Sequence, residues 1–357
     1  MISPNELARW LDPVSLGSSG IFHQIHQFSE DDVWAIWAAV AARRPLLVRG
    51  EPGLGKTQLA QAAAKLLNRD PITHTVDART ETRDLLYSLD SVRRLAAAQL
   101  CAVGAAPTDA EAAQQAREAA DARLNPENFL VPGPVWWALH PQSAADAATR
   151  SAAPLRLRPD TERQTYRERV LLIDEIDKAE ADVPNSLLEV LGSGRFSVPG
   201  IAGEIISDGQ PPLIVITTNG DRSLPPAFLR RCVVLDLKVP GTFDQNGANP
   251  ELRAWLITRG GLHWGGRDWQ TQLPAADLQV LEKAADAILA ERWQAERQQW
   301  SPKPGQAELL DLLRAIRELY PASEDAAERL TCVGRVVRFF SRRSENGDAV
   351  NDVESSS

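Results

Sequence analysis

Eight consecutive residues, Gly50, Glu51, Pro52, Gly53, Leu54, Gly55, Lys56 and Thr57, constrain this 357-residue chain more than any other feature. A short apolar run, Leu46-Leu47-Val48, opens after Pro45 and leads into them through Arg49. Leu59, Ala62, Ala63, Leu66 and Leu67 follow at helical spacing. Strand, glycine loop and helix in that order is the setting in which GxxxxGK(S/T) wraps phosphate oxygens. Glycines let successive backbone N–H groups face inward, and the following helix adds the positive end of its dipole. Lys56 offers a point charge to the outer phosphates and Thr57 a hydroxyl to Mg²⁺. The bland alternative is a glycine-rich turn with an incidental lysine.

The flanking pattern predicts an α/β domain. Ser29-Glu30-Asp31-Asp32 reads as a helix start, with Val33, Ile36, Trp37 and Val40 behind it at helical spacing. A second strand is expected at 72–76 and a helix over 81–94, with Leu85, Leu86, Leu89 and Val92 on one face. Residues 96–153 read as an alanine-rich insertion, helix plus flexible loop, broken by Pro126, Pro132 and Pro134 and anchored at 133–139. The run 170–173 is continuously apolar, as for a strand covered on both faces. A helix over 182–191, a hairpin from 195–199 and 204–207, and strands at 213–218 and 233–237 follow. Strands alternating with helices argue for a mostly parallel sheet. After Pro240 only helical patterns appear, at 250–258, 275–300, 306–319 and 324–340. The expected division is a linker at 1–28, an α/β nucleotide-binding domain at 29–240, a helical lid domain at 241–343 and a disordered tail at 344–357.

Asp174 and Glu175 end the apolar strand at the edge where the glycine loop lies. Asp174 is expected to hold Mg²⁺ through water, and Glu175 to polarise an attacking water as general base. Asn219 ends the next apolar strand and could hold that water; the alternative is a turn-starting asparagine before Gly220. Arg230 and Arg231 sit between a short helix and a strand, where either could reach a neighbouring subunit's nucleotide. Lys303 precedes a helix of the second domain and could touch nucleotide from there, or be a solvated lysine.

Composition excludes other classes. A formal net charge of −9 counts against a sequence-independent nucleic-acid binder. Three scattered cysteines and five histidines without ligand spacing suggest neither a disulfide framework nor a metal site, so a reducing cytoplasm is expected. No apolar stretch is long enough to span a membrane. The paired tryptophans 34/37 and 136/137 read as core.

Together these residues resemble an AAA+ ATPase, and more narrowly the MoxR family. The strings 171–179, 225–232 and 84–95 are similar to that family's Walker B run, arginine-finger segment and helix-2 region. The resemblance implies a three-layer P-loop NTPase core with a mostly parallel sheet, plus a C-terminal all-helical lid. It makes Gly50–Thr57 the Walker A motif, Asn219 sensor 1, Arg231 or Arg230 the arginine finger and Lys303 the sensor 2 position, where the family more often has arginine. It places a pre-sensor-1 insertion at the 195–207 hairpin. It implies ATP and Mg²⁺ as cofactors, a homo-oligomeric ring of six, a protein client, and a von Willebrand factor A domain partner. A protein-remodelling machine is the leading expectation. A nucleic-acid motor or restriction-type NTPase is the second. A nucleotide-gated switch without turnover is the third.

Overall fold

The computed structural model describes residues 4–19, 22–102, 110–160, 165–198, 201, 203–209, 211–320 and 326–341. The expected disordered tail at 344–357 lies outside them, as do Pro199 and Gly200 of the expected hairpin.

Five strands form one fully parallel sheet. In spatial order they are Val233–Asp236, Leu46–Arg49, Leu213–Thr218, Arg169–Asp174 and Asp70–Thr75. Leu46, Leu47, Val48, Leu171, Ile173, Val215 and Ile216 are fully buried, so each contributes roughly 1.5–3 kcal/mol over an exposed position. Register aligns the carboxyl ends: Thr218 lies opposite Arg49, Ile216 opposite Ile173, and Thr75 opposite Asp174. Every strand end that carries a candidate site residue therefore opens at one edge. The helix Glu30–Ala42 starts as expected: the Ser29 hydroxyl accepts the Asp32 N–H while the Asp32 carboxylate accepts the Ser29 N–H. The helices Lys56–Leu67 and Asp182–Ser193 also form, and the short hairpin pairs Arg195–Ser197 with Glu204–Ile206.

Three expectations give way. Residues 81–94 are not one helix. A helix at Thr82–Leu86 passes into strand Tyr87–Leu89, which pairs antiparallel with Leu130–Pro132. Asp90 then restarts a helix, its Oδ1 accepting the Arg93 N–H. Val92 is accordingly 82% exposed rather than on a buried face. The described part of the insertion combines helix and loop, as expected, with helices Ala110–Leu124, Pro134–Leu139 and Pro141–Arg150. Its anchor is deep: Trp136 and Trp137 are buried to 0% and 1%. Trp34, expected in the core, is half exposed. Residues 1–28 are more than a linker, since they carry helix Pro4–Leu11 and the antiparallel strands Val14–Ser19 and Phe22–His26.

Contacts divide the chain into two units. One comprises Met1–Leu11, Phe28–Gly50 and Lys56–Asp236, and holds the sheet. The other comprises Asp12–Gln27, the loop crest Glu51–Gly55 and Leu237–Ser357. In the second, helices Pro250–Gly265, Ala275–Arg297, Gln306–Leu319 and Ala326–Ser341 surround a core that includes Leu256, Leu281, Ile288, Leu309 and Leu313. The first of these runs past the expected 258 because Gly260 and Gly261 are packing points: a Cβ at Gly261 would lie 2.3 Å from the Trp269 ring.

Two buried histidines in this unit predict acid sensitivity. Burial, then the charges of Arg259 and His263, pulls His26 down to about 3. Burial pulls His263 down to about 4, opposed by a hydrogen bond to the His23 backbone and aided by Arg259, Arg314 and His23. Both are neutral when folded, whereas the unfolded chain takes up protons below its ordinary value near 6.5. Stability is therefore present above that value and lost as pH falls toward 4. At pH 5 the loss should be about 2 kcal/mol per histidine. Denaturant titrations at pH 7 and pH 5 check this: His26→Gln should shrink the difference between the two, and an unchanged difference would contradict it.

Candidate nucleotide site

The loop between strand Leu46–Arg49 and helix Lys56–Leu67 takes a shape that other residues resist. Gly53 and Gly55 sit at φ of 82° and 84°, in the left-handed region that glycine enters without steric cost. A Cβ on Gly53 would also lie 2.8 Å from the Ala307 Cβ. Lys56 follows and is 7% exposed. Its Nζ donates to the Gly50 carbonyl and to Asn219 Oδ1, both at 2.7 Å. Burial holds its ammonium below the usual lysine value, while Asp174, Asp177, Glu175 and Asp221 work in the opposite direction. A desolvated cation held by polar partners is a strong attractor for phosphate oxygens.

Across the strand ends, Thr57 Oγ1 donates to Asp174 Oδ2 at 2.9 Å, and Thr217 Oγ1 donates to Asp174 Oδ1 at 2.5 Å. Hydroxyl plus carboxylate is a hard-oxygen pair that suits Mg²⁺, which commonly takes one or two carboxylates and completes its shell with water and phosphate. Among the described residues no group of three or more His, Cys, Asp or Glu side chains is arranged to hold a metal alone. The residues present thus fit a nucleotide with Mg²⁺, since the loop, Lys56, Thr57 and Asp174 supply the donors, charge and oxygens such a ligand needs.

Glu175 adopts φ 61°, ψ 48°, a left-handed conformation unusual for a non-glycine residue. Both carboxylate oxygens are engaged. Asn219 Nδ2 donates to Oε1 at 3.3 Å, and Lys178 Nζ donates to Oε2 at 2.5 Å. That hydrogen bond holds the Lys178 ammonium above its ordinary value. Asp177, 3% exposed, accepts the backbone N–H groups of Asn219 at 3.2 Å and Asp221 at 3.0 Å. Gly50, Lys56, Thr57, Asp174, Glu175 and Asn219 are thus one connected cluster.

The other candidates lie apart from these bonds. Arg230 and Arg231 follow the helical turn Pro226–Leu229 and are exposed, with no ion pair to either side chain among the described residues. The Arg230 carbonyl accepts from Arg44 at 3.5 Å. Arg49, just before the loop, makes a forked pair with Asp236 at 2.7 and 2.9 Å. In the second unit Lys303 stands 3.6 Å from Glu296. There Arg292, 3% exposed, reaches Glu51 Oε2 at 2.6 Å and the Pro304 carbonyl at 3.0 Å. Arg292, Asp177, Lys178 and Thr217 were not singled out from sequence. Polar residues closing an apolar strand at 217–219 are a local signal for Thr217, and Asp177 and Lys178 fall within the string 171–179.

Residues 45–232 match the family model of the AAA domain, dynein-related subfamily. Among solved structures the chain is similar to two variants of RuvB from Thermotoga maritima, each 15% identical, with TM-scores of 0.43 and 0.40. Those alignments cover 86% of this chain and 68% and 67% of theirs. A Cytophaga hutchinsonii protein described as a candidate ATPase aligns at 14% identity and a TM-score of 0.35, over 86% of this chain and 78% of that one. No curated protein matches the chain.

Proposed function

Because the chain belongs to the AAA domain family, dynein-related subfamily, we propose that it binds ATP with Mg²⁺ and hydrolyses it at sites completed by neighbouring copies in a ring. The observation that carries this reading is the hydrogen-bonded cluster of Lys56, Thr57, Asp174, Glu175 and Asn219 at one sheet edge. Lys56 neutralises charge on the outer phosphates, more strongly for being desolvated. The Thr57 hydroxyl and, through water, the Asp174 carboxylate would hold Mg²⁺, which would supply further positive charge to those oxygens. Glu175 takes a proton from the attacking water, and with Lys178 on Oε2 the oxygen that receives it is Oε1. The Asn219 amide, which donates to that same oxygen, orients base and water together. Arg231, or Arg230, is exposed and makes no ion pair among the described residues, as expected for a residue that serves a neighbour's nucleotide.

Six copies in the ring, work on a protein client and a von Willebrand factor A domain partner rest on the MoxR-like strings and on the hairpin at Arg195–Ser197 and Glu204–Ile206. A cytoplasmic setting accords with three free cysteines.

Replacing Lys56 with alanine tests the binding half. A charged hydrogen bond contributes about 1.5–3 kcal/mol, so affinity for a fluorescent ATP analogue should fall about 10- to 100-fold. Unchanged affinity would remove Lys56 from the phosphate site.

A further inference from the structure

We propose that Thr217 is a positioning residue whose single hydroxyl sets the Asp174 carboxylate and the Glu175 backbone at the same time. The proposal rests on the ATPase reading above, but its geometry stands independently of nucleotide.

Thr217 is 0% exposed and sits next to last in the strand Leu213–Thr218. Its neighbour Ile216 lies opposite Ile173, so register carries Thr217 to the end of the adjacent strand, where Asp174 and Glu175 begin the turn. A hydroxyl has one proton to give and two lone pairs. Here the proton goes to Asp174 Oδ1 at 2.5 Å, and the oxygen accepts the Glu175 N–H at 2.9 Å. Asp174 is thereby gripped on both oxygens, since Thr57 donates to Oδ2. Glu175 gains more. Its left-handed backbone costs a non-glycine residue about 1–2 kcal/mol, so something must hold it there. The Thr217 oxygen is the hydrogen-bond partner of its N–H.

The neighbouring hydroxyl does not duplicate this role, because Thr218 Oγ1 accepts the Gly220 N–H instead. Asp177 completes the arrangement from the opposite direction, reaching from the turn after Arg169–Asp174 to the backbone of Asn219 and Asp221. Each strand end is thus latched by a side chain of the other. Asp174, Glu175 and Asn219 keep their mutual positions as a unit. A buried threonine that merely satisfied its own hydroxyl would affect folding stability and nothing else.

The test compares Thr217→Ser with Thr217→Ala in the full chain. Both lose the same methyl group and differ only in the hydroxyl, so a packing defect is shared. The first readout is amide hydrogen exchange around Glu175 without nucleotide. Exchange should be about tenfold faster in Thr217→Ala than in Thr217→Ser, with Thr217→Ser near wild type. The second is ATP turnover. Loss of a partner that orients a metal-binding carboxylate typically costs 10- to 100-fold, so Thr217→Ala should fall by about that factor. Half-saturation should move to higher Mg²⁺, with analogue affinity in EDTA unchanged. Equal exchange and equal turnover in the two variants would overturn the proposal. Glu175→Gln is measured alongside: if that variant keeps full turnover, the base assignment fails, and the exchange comparison still judges Thr217 by itself.

Discussion

Replacing Arg231 with alanine is expected to lower ATP turnover about a thousandfold while leaving nucleotide affinity within about threefold. An arginine supplied to a phosphoryl-transfer site acts on charge that builds up only as the terminal phosphate leaves, and such arginines contribute about 10³–10⁵ in rate. Arg231 is exposed and carries no ion pair among the described residues, so the substitution removes no buried partner and should cost little stability. Arg230→Ala provides the internal comparison. Its backbone carbonyl is tied to Arg44, but its side chain is equally exposed. A large loss in Arg230→Ala with Arg231→Ala near wild type would move the role by one residue. Full turnover in both would leave the 225–232 segment with no catalytic part.

The second large effect is expected at Glu175. Glutamine keeps the shape of the side chain and an oxygen for Asn219 or Lys178, but it cannot accept a proton. General-base catalysis is worth about 10²–10⁴-fold, so Glu175→Gln should reduce turnover by that range, or roughly 3–5 kcal/mol of barrier. ATP should still bind, because Lys56, Thr57 and the glycine loop are untouched. The protein should therefore accumulate with unhydrolysed ATP and Mg²⁺, which chromatography of the bound nucleotide would reveal. Near-wild-type turnover would exclude Glu175 as the base.

How much of this was legible in the sequence follows from how local each signal is. The glycine loop, the buried strands at 46–49, 169–174 and 213–218, and the helix Gln306–Leu319 announce themselves within a dozen residues. Asp174, Glu175 and Asn219 could be placed at one edge because parallel strands bring their carboxyl ends together. The break at 87–89 could not, because that strand exists only by pairing with 130–132, some forty residues on. Leu89, following Leu85 and Leu86, is equally compatible with a helix until the partner is known. The same holds for Thr217. Its meaning depends on a register that sets it beside Asp174, 43 positions earlier. Arg292 lies 241 positions from Glu51, and a lone arginine on a helix carries no pattern that would announce that contact. Lys178 was visible three residues after Glu175, yet whether the two side chains meet depends on the left-handed turn between them.

A shared site makes one demand that no single variant can test. Glu175→Gln and Arg231→Ala chains are each expected to be nearly inactive, for different reasons. In a ring assembled from equal amounts of both, some sites combine an intact Glu175 from an Arg231→Ala chain with an intact Arg231 from a Glu175→Gln neighbour. Random assembly makes that about a quarter of all sites, each using the neighbour's arginine. Co-assembled mixtures should therefore recover about a quarter of wild-type phosphate release. Phosphate release no higher than the average of the two parent variants, in rings shown by mass to contain both chains, would contradict a nucleotide site divided between neighbours.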